Sequence, residues 1–352
     1  MSSWRNTIID AGMQFFRVSG AHALAAPLTR GVGAVMMFHR VGPDAPSSFD
    51  PNRGLEISVE FFDALLERLR HTGRRILSLD AALAELREGK SDGAPFVVLT
   101  FDDGYRDLLE HALPVLERRE APFTAYVTSG FADGAARLWW VELEEAVRRL
   151  DRVDIAIAGA DLRLPAESPA QKAKAFDAVY WRLRDGSEEE LLRATAELCA
   201  KAGIEPLDLT RRSCLDWEAL GRLARHELAT IGAHSVTHAR LAKLAGDNAR
   251  AEMAQSRSRI EEMLGVEPKH FCYPVGDPTS AGVREFELAR ELGFESAVTT
   301  RPGVLFPEHR EHVCALPRLS INGRHQNLST VEILLSGAPF ALVNRGRKVR
   351  AA

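Results

Sequence analysis

Short apolar runs alternate with longer stretches of helical periodicity along most of the chain, the pattern of repeated β–α units. Ala34–Phe38 (AVMMF) predicts a strand that stops at His39. Phe61, Phe62, Leu65, Leu66 and Leu69 recur at helical spacing within Val59–His71, with Ser58 as N-cap and Gly73 as stop. Asp80–Arg87 predicts a second, short helix. Phe96–Phe101 (FVVLTF) is apolar on both faces, as expected of a strand covered on both sides, and it runs into Asp102, Asp103 and Gly104. A helix to about Arg119 and a strand over Phe123–Thr128 follow.

Residues 131–215 differ in texture. Glu142–Leu150, Ala170–Arg184 and Ser187–Ala202 are charged and helical in period, with few strand signals between them. This stretch predicts a helical insertion. The alternation then resumes with a helix over Trp217–Arg225 and a strand over Leu228–Ala233 that meets His234. A helix over Asp247–Leu264 ends at Gly265, and a strand over His270–Tyr273 is halted by Pro274. Ala281–Leu292 predicts a helix, Glu295–Thr299 a strand, and Leu319–Ile321 a last strand. Strands alternating with helices in this way predict an α/β fold with a parallel sheet or barrel.

Composition narrows the function classes. The 352 residues carry 45 Lys+Arg against 49 Asp+Glu, a formal charge of −4, which argues against nucleic acid as the main partner. With 45% hydrophobic and 27% charged residues the chain is globular rather than disordered. Cys199, Cys214, Cys272 and Cys314 form no CxxC, so neither a thiolate zinc site nor a disulfide framework is expected. No run of eighteen apolar residues exists, and no transmembrane segment is expected. Asp10 and Gln14 interrupt the apolar stretch near the start, so no export signal is read and a cytoplasmic location is expected. The first thirty residues form, alternatively, a helix on the body or on a membrane surface. The basic tail Asn344–Arg350 is either a solvated end or a contact for an anionic surface.

Three strand ends stop at residues able to bind metal or move a proton. In parallel α/β folds the carboxyl ends of the strands open on one face, which singles out Asp102/Asp103, His234/His238 and Tyr273. Adjacent carboxylates raise one another's pKa unless a cation is near, the alternative being a solvated turn. His234 and His238, at i and i+4, share one side of a helical turn, a spacing that suits two imidazoles on one ion. With a carboxylate they make a three-ligand set that leaves positions open for water and substrate.

TFDDG at 100–104 and HSVTH at 234–238 resemble the first two motifs of the polysaccharide deacetylases, carbohydrate esterase family four, also called the NodB homology domain. Phe271–Gly276 (FCYPVG) resembles the third motif, and MMFHRV at 36–41 the opening strand of one branch. The resemblance implies a distorted (β/α)7-type barrel over 34–130 and 216–325 with a helical insertion at 131–215. It leaves an N-terminal helical segment at 1–33 and a C-terminal extension at 326–352. It implies one divalent ion, zinc first and cobalt or another ion as alternatives, on Asp103, His234 and His238. Asp102 is the implied general base, and the backbone N–H of Tyr273 the implied oxyanion donor. The implied activity removes N-acetyl groups from N-acetylglucosamine-type units of an oligo- or polysaccharide, or of a lipid-linked sugar. An amidohydrolase of a small non-sugar amide and a non-catalytic carbohydrate binder are the alternatives.

Two departures from the family pattern matter. The arginine of the third motif, which orients the base, is matched here by Cys272; Arg318 is the candidate replacement, or else a surface ion pair. The C-terminal Leu-x-His motif that supplies the acid has only Leu334-Leu335-Ser336-Gly337 as its counterpart. His39 is the candidate acid, or else a hydrogen-bonded core histidine; His309, His312 and His325 are weaker candidates. Trp139–Trp140 and Tyr180–Trp181 are expected as packing anchors rather than sugar platforms.

Overall fold

The computed structural model describes residues 12–45, 47–89, 93–324 and 326–351. In chain order the strands are β1 (Gly33–Phe38), β2 (Arg40–Gly42), β3 (Glu56–Ser58), β4 (Arg75–Ile76), β5 (Phe96–Phe101) and β6 (Phe123–Val127). They continue with β7 (Arg152–Ile157), β8 (Ala160–Pro165), β9 (Ala229–Ala233), β10 (His270–Cys272), β11 (Ser296–Pro302) and β12 (Leu316–Ser320). Strands β1, β12, β11, β10, β9, β6 and β5 pair in that order, all parallel, and β5 returns to β1. The closure is in full register from Gly33↔Phe96 to Phe38↔Phe101. The result is a closed seven-stranded parallel barrel, with β4 a short extra strand on β5.

Alternate residues of each strand divide between two apolar environments, as the two-residue period requires. Phe38, Phe101 and Phe123 point outward, and Phe62 of the helix Val59–His71 docks on them, 5.4 Å from Phe38 and 5.8 Å from Phe101 between ring centroids. That helix starts where Ser58 Oγ accepts from Phe61 N–H, and carries Leu65, Leu66 and Leu69 fully buried on the same side. Val35, Val98, Tyr126, Cys272, Val298 and Leu316 belong to the other cluster, which fills the barrel. Because all seven strands are parallel, His39, Asp102, Thr128, His234 and Tyr273 each follow a strand at the same end of the barrel.

Residues 131–215 are not purely helical. Helices Trp139–Arg149, Pro169–Asp185, Glu188–Lys201 and Pro206–Ser213 surround an antiparallel hairpin of β7 and β8. Val153, Ile155 and Ile157 alternate with exposed residues along β7, a period-2 signal masked by the charged stretches around it. The turn uses positive φ at Ala158 and Gly159, the geometry of a tight two-residue hairpin. The insertion has its own apolar core, and Phe49 and Tyr105 of the barrel loops belong to it. Buried Arg240 staples it to the barrel through Leu183 O, Gly186 O and Glu188.

At the chain ends, helices at 12–19 and Ala21–Thr29 precede β1, and Leu328–Leu335 and Ala338–Val343 follow β12. Residues 1–11 of the expected N-terminal segment lie outside the described residues.

Candidate active site

Asp102 continues the β5 ladder, its N–H donating to Phe38 O at 3.0 Å. Asp103 then takes φ 71° and Gly104 φ 70°. Left-handed backbone at a non-glycine residue costs on the order of 1–3 kcal/mol and concentrates at functional sites. Here it turns two successive carboxylates toward different partners, which relieves their mutual repulsion.

Asp102 meets Arg318. Nη1 donates to Oδ1 and Nη2 to Oδ2, each at 2.7 Å, a two-pronged ion pair with both side chains buried. The guanidinium is itself held by Thr299 O at 2.9 Å and Thr100 Oγ1 at 3.1 Å. Its Nη2 also lies 3.1 Å from Cys272 Sγ, so the small thiol leaves the room that Arg318 fills from β12. Burial pushes the Asp102 carboxyl up, but Arg318 outweighs it and holds the group below the usual carboxylate range. His39 Nε2 stands 4.0 Å from Asp102 Oδ2. Burial lowers the His39 imidazole below its ordinary value, against the pull of Asp102.

Asp103 meets the two histidines. His234 Nε2 and His238 Nε2 each lie 3.3 Å from Asp103 Oδ1. The pair does not sit on a helical turn as the i,i+4 spacing suggests: residues 234–238 form a loop leaving β9, with Ser235 and His238 at positive φ. Glu252 holds the loop apex by accepting from the N–H groups of Val236 and Thr237, both at 2.9 Å. His238 N–H donates to Ser235 Oγ at 2.9 Å. His234 Nδ1 donates to Cys272 O at 2.7 Å, since a carbonyl can only accept, which leaves Nε2 as a lone-pair donor for an ion.

The donor set fits a cation. Asp103 Oδ1, buried and among the described residues without a hydrogen-bond donor, faces two imidazole nitrogens, a gathering of acceptors that a positive ion satisfies. Asp102, His234 and Cys272 also come together, but Arg318 already occupies the space between the Asp102 oxygens and the Cys272 sulfur. A second positive charge there would oppose the guanidinium, so the Asp103–His234–His238 set is the better site.

The Tyr273 N–H donates to Val298 O at 3.2 Å in the sheet ladder, and its phenol turns outward to Cys314 O at 2.8 Å. Both the Tyr273 N–H and its phenol are thus bonded to the barrel wall in this structure. His309 is buried beside Phe306, near the start of β1 rather than its end. His312 is exposed, and His325 lies outside the described residues. Trp139 stacks on Tyr180 at 5.1 Å, as a packing anchor should. Trp140 does more: its ring lies 4.8 Å from that of His238, and its Nε1 donates to Tyr105 Oη at 2.9 Å. Phe131 stacks on His238 at 5.9 Å, so the insertion walls the site. Glu252, Thr100 and the Cys272 carbonyl are not legible as site-builders in the sequence, because each acts through hydrogen bonds to residues brought near only by the fold.

The sequence matches no curated protein at a significant level. The model of the family described as "Polysaccharide deacetylase" matches residues 89–297, more than half of the chain. Among solved structures the fold is similar to the deacetylase PplD of Streptococcus pyogenes, at 17% identity and a TM-score of 0.56, covering 86% of this chain and 97% of that one. It is also similar to IcaB of Ammonifex degensii, at 19% identity and a TM-score of 0.54, with 86% and 98% covered. A de-N-acetylase of Aggregatibacter actinomycetemcomitans gives 15% identity and a TM-score of 0.53, again with 86% and 98% covered. Over the matched region, and with a closed parallel barrel of the same fold, the chain belongs to the polysaccharide deacetylase family.

Proposed function

We propose that this protein is a metal-dependent hydrolase that removes N-acetyl groups from N-acetylglucosamine-type units of an oligo- or polysaccharide. The observation that carries the reading is the convergence of Asp103, His234 and His238 beside an Asp102 gripped by Arg318. Asp103, His234 and His238 would hold the divalent ion, zinc being the first choice for two imidazoles and a carboxylate. When bound, such an ion supplies positive charge against the amide carbonyl and lowers the pKa of water.

The chain's own residues account for the proton movements. Asp102, kept ionised by Arg318, accepts the proton of the attacking water. Arg318 fixes both oxygens of that carboxylate and so sets the direction from which it accepts. His39, 4.0 Å from Asp102, is placed to relay a proton to the departing amine. The products are acetate and a free amino sugar.

The test is acetate release from N-acetylglucosamine oligomers by the zinc-loaded protein, beside Asp103→Asn. Release by the parent, with loss of both acetate and bound zinc in the variant, is the expected result. Oligomer binding without release would make the protein a carbohydrate binder. Release from small non-sugar amides alone would make it an amidohydrolase of another class.

A further inference from the structure

Charge and exposure are segregated at the two ends of the described chain. Residues 12–30 hold Arg17 and Arg30 and no Asp or Glu. Residues 333–351 hold Arg345, Arg347, Lys348 and Arg350, again with no Asp or Glu. The chain as a whole carries a formal charge of −4, so this basic concentration is local. The same two segments carry the most exposed large apolar side chains among the described residues. Leu24 and Leu28 are 85% exposed, Val18 77%, Leu342 69%, Val343 68% and Phe15 60%, while no other large apolar side chain exceeds 49%.

The two segments form one layer. Phe16, Ile333 and Ala338 share a buried cluster, with Met13, Ala21 and Ala25 against it. Thr29 Oγ1 donates to Ser336 O at 2.6 Å, and Arg17 Nη2 to Thr330 Oγ1 at 2.9 Å. Gly337, at φ +71°, makes the approach possible: a Cβ there would stand 1.8 Å from Thr29 O. Leu24 and Leu28 are one turn apart along one side of their helix, so their exposure is a stripe rather than a scatter. Lys348 is paired with Glu308 at 2.8 Å, at the edge of the layer.

Apolar groups exposed together mark an interaction surface, and the surrounding cations decide the occupant. A second copy would set like charges against like charges. An anionic bilayer takes both features at once, apolar side chains at the acyl boundary and guanidinium groups on phosphates. We propose that this layer seats the protein peripherally on an anionic membrane surface. No described helix is long and apolar enough to cross a membrane, so the contact is with the surface. The N-terminal half of the layer leads into the start of β1, the end of the barrel opposite Asp102. The inference does not depend on the deacetylase reading.

The test uses the full chain and sedimentation with vesicles of phosphatidylcholine, alone or with added phosphatidylglycerol. Binding to the anionic vesicles alone, weakening as salt rises, is the expected result. Leu24→Ser with Leu28→Ser should lower that binding by roughly tenfold or more. Arg345→Ser with Arg347→Ser should lower it by roughly fivefold per cation removed. Unchanged circular dichroism and unfolding midpoints in both double variants exclude misfolding as the cause. Equal partition to neutral and anionic vesicles overturns the proposal. So does a dimer without vesicle affinity that Leu24→Ser with Leu28→Ser dissolves, which would make the layer a self-association surface.

Discussion

Arg318 grips both oxygens of Asp102 at 2.7 Å across 216 positions of sequence, with the guanidinium wholly buried. Removing one partner of such a pair strands the other in a low-dielectric site. Arg318→Met should therefore cost about 3–5 kcal/mol of stability, read by denaturant unfolding. Arg318→Lys keeps a charge but lacks the fork, and should lower kcat far more than it raises KM. A lysine variant with parental kcat would show that the orientation of Asp102 is not set by Arg318.

Asp102→Asn preserves shape and removes the acceptor. Acetate release should fall by about 10²–10⁴-fold, while zinc content measured by atomic absorption stays at the parental level. Undiminished release would move the base role to another group.

His39→Ala should slow turnover by about a hundredfold or more without emptying the metal site. His39 reaches Asp102 and not the Asp103–His234–His238 set, so metal content and turnover should separate cleanly. Loss of metal together with turnover would instead place His39 among the ligands.

Stripping the ion with a chelator should lower the unfolding midpoint, because a ligand bound only by the folded state stabilises it. At a hundredfold excess of free zinc over its Kd the recovery is roughly 3 kcal/mol. Asp103 and His238 already hold left-handed backbone, so zinc should be restored without a slow refolding phase. A midpoint indifferent to zinc would argue against the site.

His309 illustrates a different use of histidine. Burial lowers its pKa to about 4, while Nδ1 lies 3.0 Å from the Phe306 N–H. An unfolded imidazole titrates near 6.5, so the unfolded chain binds the extra proton between about pH 6.5 and 4. The stability from this group is thus full above about pH 6.5 and falls as pH drops toward 4, by on the order of 3 kcal/mol. His309→Gln should flatten that part of the stability profile in urea titrations. A slope equal to the parent's would assign the acid sensitivity elsewhere.

The sequence exposes those parts of this protein that repeat a local rule. Phe96–Phe101 and Val59–His71 have the same limits in the structure as in the hydrophobic pattern, because burial and capping are decided within each segment. The pattern predicts the last strand at Leu319–Ile321, whereas the strand bearing Arg318 runs over Leu316–Ser320, disguised by a proline and a charge. The partner Asp102, which follows β5, makes that charge tolerable inside the barrel, with Thr299 O and Thr100 Oγ1 taking further N–H groups. The two histidines were found by spacing that suggested a helix, whereas a strained loop held by Glu252 brings them together. Such backbone has no periodic signature to read.

The bond from Trp140 to Tyr105 has a consequence for how this architecture can be altered. Tyr105 follows the Asp102–Asp103 turn by two positions, yet it is interred with the excursion's side chains and not with the barrel's. Excising 131–215 would strip one flank from His238 and lay bare the chain just past the Asp102–Asp103 turn. Barrel and excursion are therefore one inheritance: grafting either onto a foreign host would carry across a broken centre.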